Sequence, residues 1–120
     1  SYDKQTKIVN LNLTNQFDEL AIIEPRMDDA PGSGTYYKIN YKDIEGKILS
    51  SSTNYVFKMR SNEIFIESKK NKDCKINLRE QFKGNTVNDI YTVEIEIHIQ
   101  ARFKGFTEFK HTVNEEYRWE

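Results

Sequence analysis

Residues 91–103 read YTVEIEIHIQARF, and their alternation decides the fold. Tyr91, Val93, Ile95, Ile97, Ile99, Ala101 and Phe103 share one parity, and Thr92, Glu94, Glu96, His98, Gln100 and Arg102 share the other. Side chains of a strand point to opposite faces with period two, so this stretch is an extended ribbon with one dry face and one wet face. Most of the apolar set is β-branched or aromatic, which suits a pleated, half-buried surface. Wound into a helix, the same residues would scatter around the axis.

A second ribbon runs from Thr107 to Trp119, and the two patterns fix its register. A two-residue loop at Lys104-Gly105 would set Ala101 against Glu108 and mix the faces, because a slip of one residue turns every side chain over. A three-residue loop, Lys104 to Phe106, pairs Ala101 with Phe109, Ile97 with Val113, Val93 with Tyr117 and Tyr91 with Trp119. On the wet face Arg102 meets Glu108 and Gln100 meets Lys110. Cross-strand pairs of these kinds contribute about 0.2–1 kcal/mol each. Two placements are poor: Glu94 opposes Glu116, and Glu115 sits on the dry face. Fraying or a bulge is expected there.

The chain has 120 residues, 18 Lys and Arg against 19 Asp and Glu, and a net charge of −1. That length makes one domain, able to bury about 65% of its extended surface. The charge balance provides no global field for nucleic acid or an anionic membrane. Seven Tyr and seven Phe argue against disorder. Cys74 is the sole cysteine, so no internal disulfide can form, and a small buried hydrophobe is the expected role. No apolar run approaches the ~20 residues of a membrane span. The chain starts at Ser1 without an initiator Met, so any membrane attachment is expected through a segment outside it.

Nearer the start the signals compete. Val9, Leu13, Phe17 and Leu20 fit one face of a helix, whereas Val9, Leu11 and Leu13 alternate as in a strand. The balance predicts a helix over 15–23, ended by Pro25, with 7–13 undecided. Residues 27–34 (MDDAPGSG) form a loop; Asp28 and Asp29 match no calcium-loop spacing. Tyr37, Ile39 and Tyr41 alternate toward a hairpin whose loop is Ile44-Glu45-Gly46, pairing Asp43 with Lys47 and Tyr41 with Leu49. The returning strand passes through Ser50 to Ser52 into a second hairpin turning at Ser61-Asn62, with Ile64 opposite Met59 and Ile66 opposite Phe57. Cys74, Ile76 and Leu78 mark a short strand. Asn77 and Glu80 resemble a capping box before a helical turn over 78–83, with Gly84 as its stop.

No constellation carries chemistry. His98 and His111 fall on opposite faces and cannot share a metal or a relay. No His/Cys cluster has zinc spacing, no Gly-rich loop has phosphate-binding spacing, and Ser50 to Ser52 lack a nucleophile elbow. Glu94, Glu96 and Glu116 can gather on an open face, but acid–base work needs a water-poor cleft. The chain is therefore read as a non-enzyme without cofactor or metal. Asn12-Leu13-Thr14 is a glycosylation triplet that matters only on a secreted eukaryotic chain. Amphipathic rings are dense, and Tyr36, Tyr117 and Trp119 are the candidate interaction residues, since Tyr and Trp bury area at low entropic cost.

The run Asn54-Tyr55-Val56-Phe57-Lys58-Met59-Arg60-Ser61-Asn62-Glu63-Ile64-Phe65-Ile66 resembles the middle of minor pilin and pseudopilin head domains, where a Tyr-bearing strand, a tight turn and an N-x-I-x-I return occur in this order. The linker Ile76-Asn77-Leu78, the strand Tyr91 to Phe103 and a last hairpin arm continue that resemblance to residue 119. It implies that the N-terminal helix is the lower part of a pilin spine. It also implies a non-catalytic subunit, located outside the cytoplasm, that packs against other protein subunits in a surface filament.

The expected fold is therefore α+β: a mostly antiparallel sheet over 35–119 with an N-terminal helix within 1–24, and an all-β sandwich as the alternative. A small-ligand or carbohydrate-binding β domain is the alternative function.

Overall fold

The computed structural model describes residues 1–24, 34–55, 64–103 and 108–120. Nine strands follow in order: β1 (Tyr2–Asp3), β2 (Ile8–Thr14), β3 (Ala21–Ile23), β4 (Tyr36–Lys42), β5 (Ile48–Tyr55), β6 (Ile64–Ile66), β7 (Asn71–Asn77), β8 (Thr92–Phe103) and β9 (Glu108–Arg118). Between β7 and β8 lie one helical turn, α1 (Leu78–Gln81), and a 3-10 turn at Val87–Asp89. All pairings are antiparallel. A small sheet has the order β1-β2-β7, and a large one runs β5-β4-β8-β3-β6 with β9 along the other edge of β8. The two sheets share one core, to which Val9 and Ile76 come from the small sheet and Ile39, Tyr41, Val93 and Ile95 from the large one. The chain is thus all-β, and the α+β expectation fails; the sandwich alternative fits.

The missing helix has a local cause. Asn15 is buried; its Nδ2 donates to the carbonyls of Glu19 (2.7 Å) and Ile66 (2.9 Å), and its Oδ1 accepts from Phe17 N–H (3.0 Å). Such side-chain bonds offer the backbone an alternative to the helical ladder. Its own main chain pairs with Lys69 and Lys70. Residues 15–20 therefore form a turn, and Phe17 and Leu20 of the apparent helical stripe stand largely exposed. Residues 8–14 are a strand, and 21–23 another. The spine helix implied by the pilin resemblance is absent.

β8 is the central strand. On one edge it carries β9 in the expected register: Val93 opposite Tyr117, Ile97 opposite Val113, Ala101 opposite Phe109 and Arg102 opposite Glu108. The loop expected at Lys104 to Phe106 lies outside the described residues. Glu94 does oppose Glu116, but its carboxylate turns to β4, accepting from Lys42 Nζ (3.0 Å) and Asn40 Nδ2 (3.2 Å). Those bonds hold Glu94 below its ordinary carboxylate pKa. Glu115 opposes Ile95 and stays exposed, because β9 is an edge strand.

The other edge of β8 is shared. Its first half pairs with β4 and its last residues with β3. The two abut at Gln100, whose carbonyl accepts from Glu24 N–H (2.8 Å) and Thr35 Oγ1 (3.0 Å). Thr35 N–H bonds Glu24 O at 3.0 Å, and Gln100 Oε1 accepts from Gly34 N–H at 2.8 Å.

The β4–β5 hairpin turns where expected, with Asp43 N–H bonded to Lys47 O (2.9 Å) and Gly46 at φ +85°, a conformation that suits glycine. Lys42 pairs with Ile48, but Tyr41 then pairs with Ser50, not with Leu49, because a bulge intervenes. The shift places Ser50 and Ser52 inward under α1. There Ser50 Oγ accepts from Lys83 N–H (3.2 Å) and Ser52 Oγ donates to Gln81 Oε1 (3.1 Å). Asn77 caps α1 as read, accepting from Arg79 and Glu80 N–H. Gly84 lies two residues past the cap position, Phe82. The second hairpin, including the Met59 and Phe57 pairings, lies outside the described residues; Ile64–Ile66 pairs with β3.

Two buried tyrosines fasten α1 to the large sheet. Tyr41 Oη donates to Leu78 O at 2.5 Å, and Gln81 Nε2 donates to Tyr37 Oη at 2.7 Å. Burial raises both phenols, Tyr37 from 10.0 to about 12 and Tyr41 further. Each native pKa exceeds its unfolded value, so the stabilisation is complete below pH about 10 and is lost as pH rises through 12. We expect urea midpoints to fall steeply above pH 10. Tyr37→Phe should flatten that slope by up to about 1.4 kcal/mol per pH unit.

Candidate functional site: an apolar groove between the sheets

Two sides of the sandwich are closed. On the first, α1 covers β4 and β5. On the second, Tyr2 stacks on Tyr117 (4.7 Å between centroids). Nearby the buried Lys7 donates from Nζ to the Trp119 carbonyl and lies over the indole ring, 4.7 Å from its centroid. Burial lowers the Lys7 ammonium pKa. Lys7 occupies a left-handed turn at φ 59°, and its carbonyl accepts from Leu78 N–H (2.8 Å).

β1 pairs with Ile8 and Val9 of β2, and beyond that pair a groove of about 470 Å³ opens between the sheets. Leu11 and Leu13 of β2 form one wall, Phe109, His111 and Val113 of β9 another, and Ile97, Ile99 and Ala101 of β8 the floor. Ile23, Ile66, Phe103 and Phe17 complete the apolar part of the lining. Among the described residues His111 is the only titratable side chain in the lining. At the mouth Phe17, 51% exposed, packs edge-on against Phe103 (4.9 Å) and Phe109 (6.1 Å). Asp18, Glu19 and Glu108 surround this cluster.

The residues singled out from the sequence lie elsewhere. Tyr36 sits on the outer face of the large sheet, stacked on His98 (4.5 Å, 14° between planes). His98 is held by Glu96 Oε1 at 2.5 Å and Thr112 Oγ1 at 3.3 Å. Tyr117 is half-buried beneath Tyr2, and Trp119 is 5% exposed and offers a partner almost no surface. The structure does not gather these three rings into one surface. The groove residues Phe109 and Val113 were assigned to the dry face, but their sequence says nothing of whether a strand covers them.

His98 and His111 point to opposite faces, as their parity requires. Among the described residues no group of three or more His, Cys, Asp and Glu is placed to hold a metal ion. Cys74 is half-buried against the core and burial raises its thiol pKa, which disfavours the reactive thiolate. Among the described residues, no helix is long and apolar enough to cross a membrane.

No family model and no curated protein matches the chain. A solved structure described as "X-ray structure of Northeast Structural Genomics Consortium target SoR45" is similar in fold, with a TM-score of 0.51 over 96% of this chain and 88% of that one. At 8% identity the likeness concerns the fold alone.

Proposed function

We propose that this protein is a non-catalytic interaction domain that receives an apolar part of another protein in the groove between its sheets. The observation that carries this reading is the lining. A cleft lined mainly by hydrocarbon, with Asn12, Thr14, Asn15, Gln16 and one imidazole among its described residues and exposed phenyl rings at its mouth, leaves apolar surface in water that a partner would cover. Among the described residues the lining contains no carboxylate. Assembly with other subunits, of the kind the pilin resemblance implies, fits such a groove. A small apolar ligand is the second reading, favoured by a volume within the ~300–1,000 Å³ usual for such sites.

Nile red, a neutral apolar dye, tests the groove. Ile99→Asp places a carboxylate on its floor and should weaken dye binding at least tenfold; Phe109→Ser at the rim should weaken it severalfold without disturbing the fold. Phe65→Asp, on an exposed side chain outside the groove, should leave it unchanged. Equal dye binding by all three variants, with unfolding transitions intact, would overturn the assignment.

A further inference from the structure

The outer edge of β5 is built to meet another strand. β5 lies at the end of the large sheet and, among the described residues, pairs only with β4. Residues of a strand turn their main-chain groups alternately to its two edges. At the end of β4 the N–H of Asp43 bonds Lys47 O toward β5 (2.9 Å), and the carbonyl of Lys42 accepts from Tyr91 N–H toward β8 (2.8 Å). Tyr41, Ile39 and Tyr37 therefore face β5, where their partners are Ser50, Ser52 and Asn54. Ser51 and Thr53 alternate with those partners and turn their N–H and C=O outward. Among the described residues no main-chain group meets them there. Their side chains are exposed as well.

Proteins commonly blunt an open edge with charge, proline or brevity. The outer edges of β7 and β9 are blunted in this way: β7 carries Lys72, Asp73 and Lys75, and β9 carries Glu108, Lys110, Glu115, Glu116 and Arg118. β6 is only three residues long. β5, with the sequence ILSSSTNY, has eight residues and neither charge nor proline. We propose that β5 pairs antiparallel with β5 of a second copy of this chain about a twofold axis, joining the two large sheets into one. The missing charge selects this occupant. A twofold axis sets a strand against itself, so a charge near the axis would meet its own copy, whereas opposite charge on a foreign partner would match it. With Ser52 on the axis, Ser51 exchanges main-chain bonds with Thr53 of the second copy, and their hydroxyl side chains lie opposite each other on the outer face. Ile48, 51% exposed at the start of β5, comes against the far end of the second β5 and leaves water. The contact is a strip one strand long, at the low end of interface sizes (below about 1,200 Å²), so association is reversible. None of these residues lines the groove between the sheets, so the two surfaces stand or fall separately.

Sedimentation equilibrium of the full chain, from about 5 to 500 μM, should show a monomer–dimer equilibrium. Over the same range amide exchange at Ser51 and Thr53 should slow by about tenfold or more as the dimer forms. Thr53→Pro removes an outward N–H and spares the bonds to β4. Thr53→Lys places two ammonium groups beside the axis. Each should weaken dimerisation by about tenfold or more. Asn114→Lys, which puts the same charge on the exposed edge strand β9, should leave it unchanged. Urea transitions at a concentration where the wild type is monomeric show whether the variants fold. If Thr53→Pro does not, Thr53→Lys and the wild-type exchange rates decide. A chain that stays monomeric throughout overturns the proposal. So does a dimer that keeps its affinity in the folded variants, or one in which Ser51 and Thr53 exchange as fast as in the monomer.

Discussion

Trp119→Ala is expected to cost about 3–5 kcal/mol of folding stability, the range for deleting a large buried aromatic. The residue is a closing element of the fold. Its N–H bonds Tyr91 O at 2.9 Å, its carbonyl accepts from Lys7, and its ring meets Tyr41 edge-on at 6.4 Å. Removing the indole takes away the surface on which the Lys7 ammonium rests, in a site where burial already disfavours that charge. Circular dichroism across a urea titration measures the loss. A change below about 1 kcal/mol would show that the C-terminal residues fray in solution. Trp119 is also the only tryptophan, so in the wild type its emission should shift to the red in step with unfolding.

Ile95→Ala should cost about 2–5 kcal/mol. Ile95 is fully buried, pairs with Ile39 across β4, and lies at the middle of the strand on which both edges of the large sheet depend. Glu115, its partner on β9, is exposed, so Glu115→Ala should change stability by less than about 0.5 kcal/mol. Comparable losses at the two positions would mean that β9 is covered in solution, and would count against an open groove.

How much of this was legible in the sequence depended on whether a pattern constrained itself locally. The β8–β9 register could be read because both strands alternate, and an offset of one residue would have set Ile97 against an exposed polar position. Of the β4–β5 register the pairing of Asp43 with Lys47 was readable, and that of Tyr41 was not. The bulge at Leu49 responds to α1, which needs Ser50 and Ser52 beneath it, and that demand comes from thirty residues away. The N-terminal helix was misread for a related reason. Val9, Leu13, Phe17 and Leu20 have helical spacing, but the side chain of Asn15 closes a turn and fastens it to Ile66. The groove escaped detection altogether. Its apolar residues look like core in the sequence, because alternation marks the dry face of a strand without saying what covers it.

The junction at Gln100 works as a splice between β3 and β4: one glutamine and one threonine hold Glu24 and Gly34 side by side, so β8 meets two short strands as a single continuous neighbour.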